Sequence, residues 1–167
     1  MNLVKKSIAA LLCTAVCTSA GVTAFAAESQ DVALSHVVEN DPVYSLTIPS
    51  SLDMEKNGSE FTFEATGVQY MDGKKISVTI GGTDYFRNQM VLVDDDTRAT
   101  LRYQIITADG RTLETTGQKD QMNGQEVASF TGDGTVSCIF KPVYAFNVVP
   151  GSYAGSITFN VDVVELA

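Results

Sequence analysis

Few residues in this chain carry reactive side chains, and their spacing limits what they can do. His36 is the one histidine. A Ser–His–Asp relay needs a hydroxyl within hydrogen-bond reach of the imidazole. Ser35 precedes it in a strand-like stretch, where successive side chains point to opposite faces. No nucleophile-elbow motif offers a second hydroxyl. Asp94, Asp95 and Asp96 form the densest acidic cluster. Loop carboxylates suit calcium, which takes six to eight oxygen ligands, so these three are the metal candidates. Their spacing is not that of an EF-hand, and the other reading is a solvated turn that ends an apolar strand and discourages edge pairing. Zinc lacks ligands, since one histidine and one mature cysteine do not make its usual set. Asp and Glu are plentiful, but no pair is singled out by spacing for glycoside hydrolysis. Gly81-Gly82 is not followed by a helix start, so no phosphate loop is present. No catalytic or cofactor-binding residue is assigned, and the chain is expected not to be an enzyme.

The elements that would position these groups come after a targeting segment. Lys5 and Lys6 open the chain, Ile8 to Ala20 is a short apolar run, and Ala24-Phe25-Ala26 fits a small-x-small cleavage site. A signal peptide over residues 1–26, cut after Ala26, is expected. It would leave one domain, residues 27–167, exported and then free of the membrane. Cys13 and Cys17 leave with it, each preceded by a large apolar residue rather than the small one expected of a lipid-modified cysteine. Losing Lys5 and Lys6 takes the formal charge from −9 to −11. Such an acidic chain is a poor partner for nucleic acid or anionic lipid. Cys138 then has no partner for an internal disulfide. It shares strand parity with Val136 and Phe140, which marks it as a small core residue.

The mature sequence alternates. Tyr44, Leu46 and Ile48 fall on one face before Pro49. Phe61, Phe63 and Ala65 follow, then Ile76, Val78 and Ile80 up to a break at Gly81-Gly82. Met90 to Val93 is a continuous apolar run, suited to a strand covered on both sides or crossing between sheets. Ala99, Leu101, Tyr103 and Ile105 alternate into Asp109-Gly110, a hairpin signal returning through Thr112 to Thr116. Gly117 to Gln125 reads as a surface loop. Glu126–Thr131 and Thr135–Lys141, around Gly132-Asp133-Gly134, read as another hairpin, and Val143–Val149 as extended.

Pro150-Gly151 turns the chain into Ile157, Phe159, Val161 and Val163, with Tyr153 able to return its hydroxyl to nearby backbone and Gly155 allowing close approach. Phe159→Ala is expected to cost about 3–5 kcal/mol if the ring is in the core, and Asn160→Ala far less if Asn160 faces water. Asn-Gly occurs twice and Asp-Gly three times, and no long stretch has helical spacing. The expected fold is all-β: an antiparallel, Greek-key, Ig-like sandwich, with a closed barrel as the alternative. Residues 27–41, with Val32, Leu34, His36 and Val38 on one face, form either a strand of the same sheet or an arm that completes a neighbour's sheet.

The order YSLTIPSSL, then central strands, then PGSYAGSITFNVDV from Pro150 to Val163 resembles small secreted surface domains of Gram-positive bacteria, of the WxL-like and pilin-like β-sandwich kind. The likeness spans Tyr44 to Val164. Its specific parts are the Ile48-Pro49 stop and the turn at Gly151-Ser152-Tyr153-Ala154-Gly155. The chain has no Trp, so the motif that gives the WxL family its name is absent. Such a resemblance implies an adhesive or structural role at the cell surface. The partners expected are proteins, or further copies of the chain, met through sheet edges or the arm. The rival is a glycan-binding module using Tyr70, Tyr85, Tyr103, Tyr144 or Tyr153 as a platform; a secreted hydrolase stands behind it.

Overall fold

Alternating side chains settle the chain into strands, each needing a cover for one face. The structure, a computed structural model, describes His36, residues 40–117 and residues 121–166. The leader, its cut and the arm, apart from His36, Asn40 and Asp41, lie outside the described residues. Ten strands follow in order: β1 (Val43–Thr47), β2 (Ser59–Gln69), β3 (Lys74–Thr83), β4 (Val91–Asp94), β5 (Thr100–Ile106), β6 (Thr112–Glu114), β7 (Glu126–Phe130), β8 (Gly134–Val143), β9 (Tyr153–Ala154) and β10 (Ile157–Glu165). Among the described residues one 3-10 turn, Phe86–Asn88, interrupts them.

All ladders are antiparallel. The larger sheet runs β1-β2-β8-β5-β4-β9, with β6 beside β5, and the smaller runs β10-β3-β7. The expected all-β antiparallel sandwich is therefore the observed architecture, with the non-consecutive neighbours β2–β8, β5–β8 and β3–β10 of a crossed topology. Its core lies between the sheets. Phe61 and Phe63 of β2 meet Phe159 of β10 at ring-centroid distances of 5.9 and 5.2 Å. Ile76, Val78 and Ile80 of the central strand β3 are fully buried, as are Phe63 and Ile105. Each large side chain buried in this way contributes about 1.5–3 kcal/mol.

The Asp109-Gly110 hairpin forms as its sequence predicts. Thr107 N–H donates to Arg111 O at 2.9 Å, and β5 pairs with β6. Three other expectations are corrected. Gly81-Gly82 does not break β3, which continues to Thr83. The glycines answer close neighbours instead: a Cβ would lie 2.7 Å from Asn160 Oδ1 at Gly81 and 2.9 Å from Asn88 Oδ1 at Gly82. The register with β10 shifts here, as at a bulge. Glu126–Thr131 and Thr135–Lys141 are not a hairpin. β7 pairs with β3, whereas β8 pairs with β2 and β5, so the Gly132-Asp133-Gly134 turn carries the chain from one sheet to the other. Asp133 Oδ1 ties that turn to the end of β2, accepting from Val68 N–H at 2.7 Å. Val143–Val149 contains a turn at Phe146-Asn147, and the Phe146 ring stands fully in solvent.

The last strand differs from expectation in degree. Its inward residues Ile157, Phe159, Val161 and Val163 are only half-buried, whereas their β3 neighbours are fully buried. β3 has a strand on either side, while β10 is at the edge of its sheet.

Candidate functional site

The register places several strand ends together. β8 ends where β5 begins, with Val143 opposite Arg102. β2 begins near the same end of β8, Ser59 opposite Phe140. Here the two sheets part, and a cleft of about 750 Å³ opens between them. Its floor includes Phe61, Tyr103 and Phe140 of the larger sheet; Ile157 and Phe159 form a wall from β10. The opposite wall is the segment after β1, residues 48–54. Ile48, Leu52 and Met54 rest on the core, and Ser59 Oγ holds the end of this segment. It accepts from Glu55 N–H at 2.9 Å and donates to Asp53 O at 2.8 Å.

Tyr103 is the unusual residue of the floor. It is 3 % exposed, and its ring stacks on Phe140 at 6.2 Å. No hydrogen bond from any described residue reaches its hydroxyl, and no buried side-chain oxygen lacks both a partner and solvent. The phenolic oxygen therefore opens on the cleft. Burial, with the nearby Asp84 carboxylate adding to it, pushes this phenol well above its ordinary range. Across physiological pH it is a neutral hydrogen-bond donor.

The rim is the β8–β10 connection. Tyr153 Oη donates to Val149 O at 2.5 Å, the backbone return foreseen from its position. Gly155 lets the chain pass over Leu92, whose Cδ2 would be 3.0 Å from a Cβ there. Gly151 is required by a closer approach still, because a Cβ would run into the Asp94 carboxylate. Tyr144 lines the rim and is half exposed. Tyr70 is also half exposed.

Asp94, Asp95 and Asp96 do not share one environment. Asp94 is 3 % exposed. Its Oδ1 accepts from Thr97 N–H at 2.8 Å and from Thr97 Oγ1 at 2.6 Å. The Thr97 hydroxyl first, then the Thr97 amide, hold its carboxyl below the ordinary range against burial; the Ser152 and Asp96 amides add to this. Asp94 thereby pins the β4 turn to the rim. Asp95 and Asp96 face solvent, with Arg98 Nη1 3.5 Å from Asp95 Oδ1. Among the described residues no three His, Cys, Asp or Glu side chains are placed to hold a metal ion.

Cys138 is buried on β8, its thiol donating weakly to Phe61 O at 3.8 Å. Burial pushes it up to about 12, so it stays a thiol and a poor nucleophile. His36 is exposed. The wall of residues 48–54 and the role of Tyr103 were not foreseen. Leu52 and Met54, apolar within a stretch that otherwise reads as loop, were the available signal. No family model matches this chain, and no curated protein and no solved structure matches it.

Proposed function

We propose that this is an exported, non-enzymatic protein of the cell surface or the extracellular space. It works as an adhesive or building unit through protein contacts at its sheet edges. The observation that carries this reading is β10. It is nine residues long, bonded to β3 along one edge, and without a backbone partner on the other among the described residues. Its apolar face is half open. Natural sheets shorten, charge or cover such an edge unless something binds it. Strand addition would satisfy the backbone groups, with alternate side chains giving specificity. The groups that suggested chemistry have structural roles: Asp94 holds a turn, and Cys138 fills the core.

The resemblance to Gram-positive surface sandwiches supports the same location. The second reading, glycan binding, rests on the half-exposed ring of Tyr144 at the cleft rim. Size-exclusion with light scattering and chemical crosslinking, on the chain from Ala27 and on the chain lacking residues 27–40, tests the edge reading. Assemblies that disappear or change on removal of the arm support it. Identical monomers in both cases, with no crosslinked species, overturn it.

A further inference from the structure

The end cleft adds chemistry to the edge beside it. Ile157 and Phe159 belong both to β10 and to the cleft wall, so a strand laid along β10 brings its side chains to the cleft. Among the described lining residues there is no Lys, Arg or His, and the one charged residue is Asp53. A ligand bearing anionic groups would find no counter-charge, and the protein's formal charge of −9 repels it further. The floor rings Phe61 and Phe140 are 6 % and 4 % exposed. They offer a slot for a side chain rather than an open face for a sugar ring to stack on. At the bottom of that slot is the Tyr103 hydroxyl, a donor with no protein partner among the described residues. An apolar group seated there alone would strand this donor, which is costly. The occupant must bring an acceptor with it.

We propose that the cleft and the free edge of β10 together bind an extended peptide segment without acidic residues, which adds to β10 as a further strand, seats one apolar side chain between Phe159 and Met54, and accepts a hydrogen bond from Tyr103 Oη at a polar side chain on the same face of that strand. This deepens the edge-contact reading and rests on it. A nine-residue partner matches β10 in length, about 30 Å of extended chain. Backbone pairing supplies the affinity; the slot and the phenol select what is paired.

The test uses an acetylated, amidated nine-residue probe that alternates threonine with valine, with a central leucine, a lysine at each end and a fluorophore. Binding to the exported chain is read by anisotropy. The expected result is saturable binding, abolished when alternate probe amides are N-methylated along the pairing edge. Replacing the central leucine by aspartate should also lose it. Tyr103→Phe should weaken it about 3- to 10-fold, the worth of one hydrogen bond. Because that hydroxyl bonds nothing among the described residues, Tyr103→Phe should leave the thermal midpoint unchanged. If the midpoint falls, Tyr144→Ala on the exposed rim makes the same comparison without touching the core.

Binding lost on N-methylation yet indifferent to Tyr103→Phe, Tyr144→Ala and the leucine change overturns the cleft inference and leaves the edge reading standing. No binding at millimolar probe overturns it too, while the crosslinking result still decides the edge reading separately. Tyr103-dependent binding of neutral oligosaccharides such as cellohexaose or chitohexaose, in place of the peptide, overturns it in favour of a glycan.

Discussion

Consider the contact between Phe63 and Phe159, where the two sheets meet ring to ring. The centroids are 5.2 Å apart and the rings stand at 87°, the edge-to-face geometry that aromatic quadrupoles favour. Phe63 is fully buried in β2, whereas Phe159 is half-buried in the edge strand β10. Phe63→Ala should cost about 3–5 kcal/mol, a large part of the roughly 5–15 kcal/mol that holds a domain together. Phe159→Ala should cost less, towards the lower end of that range at about 3 kcal/mol, because part of its ring is already in water.

The leucine variants give a gentler comparison. Each should cost under about 1.5 kcal/mol, and the double variant should reveal a coupling of about 0.5–1.5 kcal/mol. Urea unfolding followed by far-UV circular dichroism and tyrosine fluorescence reads all four proteins; the chain has no Trp to confuse the signal. With a slope of about 2 kcal/mol per molar, the coupling appears as a midpoint shift of about 0.25–0.75 M. Additive leucine costs would refute the facing of these two rings. A Phe159→Ala cost equal to that of Phe63→Ala would refute the half-open edge on which the functional reading stands.

Cys138 should resist thiol reagents in the native exported chain and react fully in urea, since its thiol is buried and pushed up to about 12; prompt native labelling would contradict its place in the core. Asp109 is held down to about 2, first by the Thr107 hydroxyl and then by Arg111. A depressed carboxyl stabilises the fold above its ordinary range near 4 and loses that contribution as pH falls towards 2. Asp109→Asn should therefore lower the thermal midpoint at pH 7 and much less near pH 2; equal deficits at both values would refute the assignment. Gly151→Ala should lower the midpoint by several degrees, at about 4 °C per kcal/mol, by driving a methyl into the Asp94 carboxylate. Gly132→Ala, whose Cβ meets open space, should stay within about 0.5 kcal/mol of the parent.

What the sequence carries by itself is local. Period two in Phe61-Phe63-Ala65 and Ile76-Val78-Ile80 determined both the strands and their buried faces, because alternation is a property of the extended backbone alone. Asp109-Gly110 likewise fixed its own hairpin, and Tyr153 its own backbone bond. The Gly132-Asp133-Gly134 turn looked identical in kind, yet it joins two sheets. A turn motif specifies a change of direction, whereas which strand lies alongside depends on partners far away in the chain. For the same reason Gly81-Gly82 read as a break. Only the approach of Asn160 and Asn88, distant or across a turn, explains why a strand with two glycines continues.

The three adjacent aspartates were one cluster in the sequence and two environments in space, because Thr97 and Ser152 claim Asp94 alone. The cleft was invisible in the chain's order. Phe61, Tyr103, Phe140 and Phe159 are widely separated there and meet only because antiparallel register brings four strand ends to one end of the sandwich. The sequence determined which residues would be inside; tertiary packing decided that Tyr103 would be inside with no partner for its hydroxyl among the described residues, since that depends on what every other element leaves uncovered.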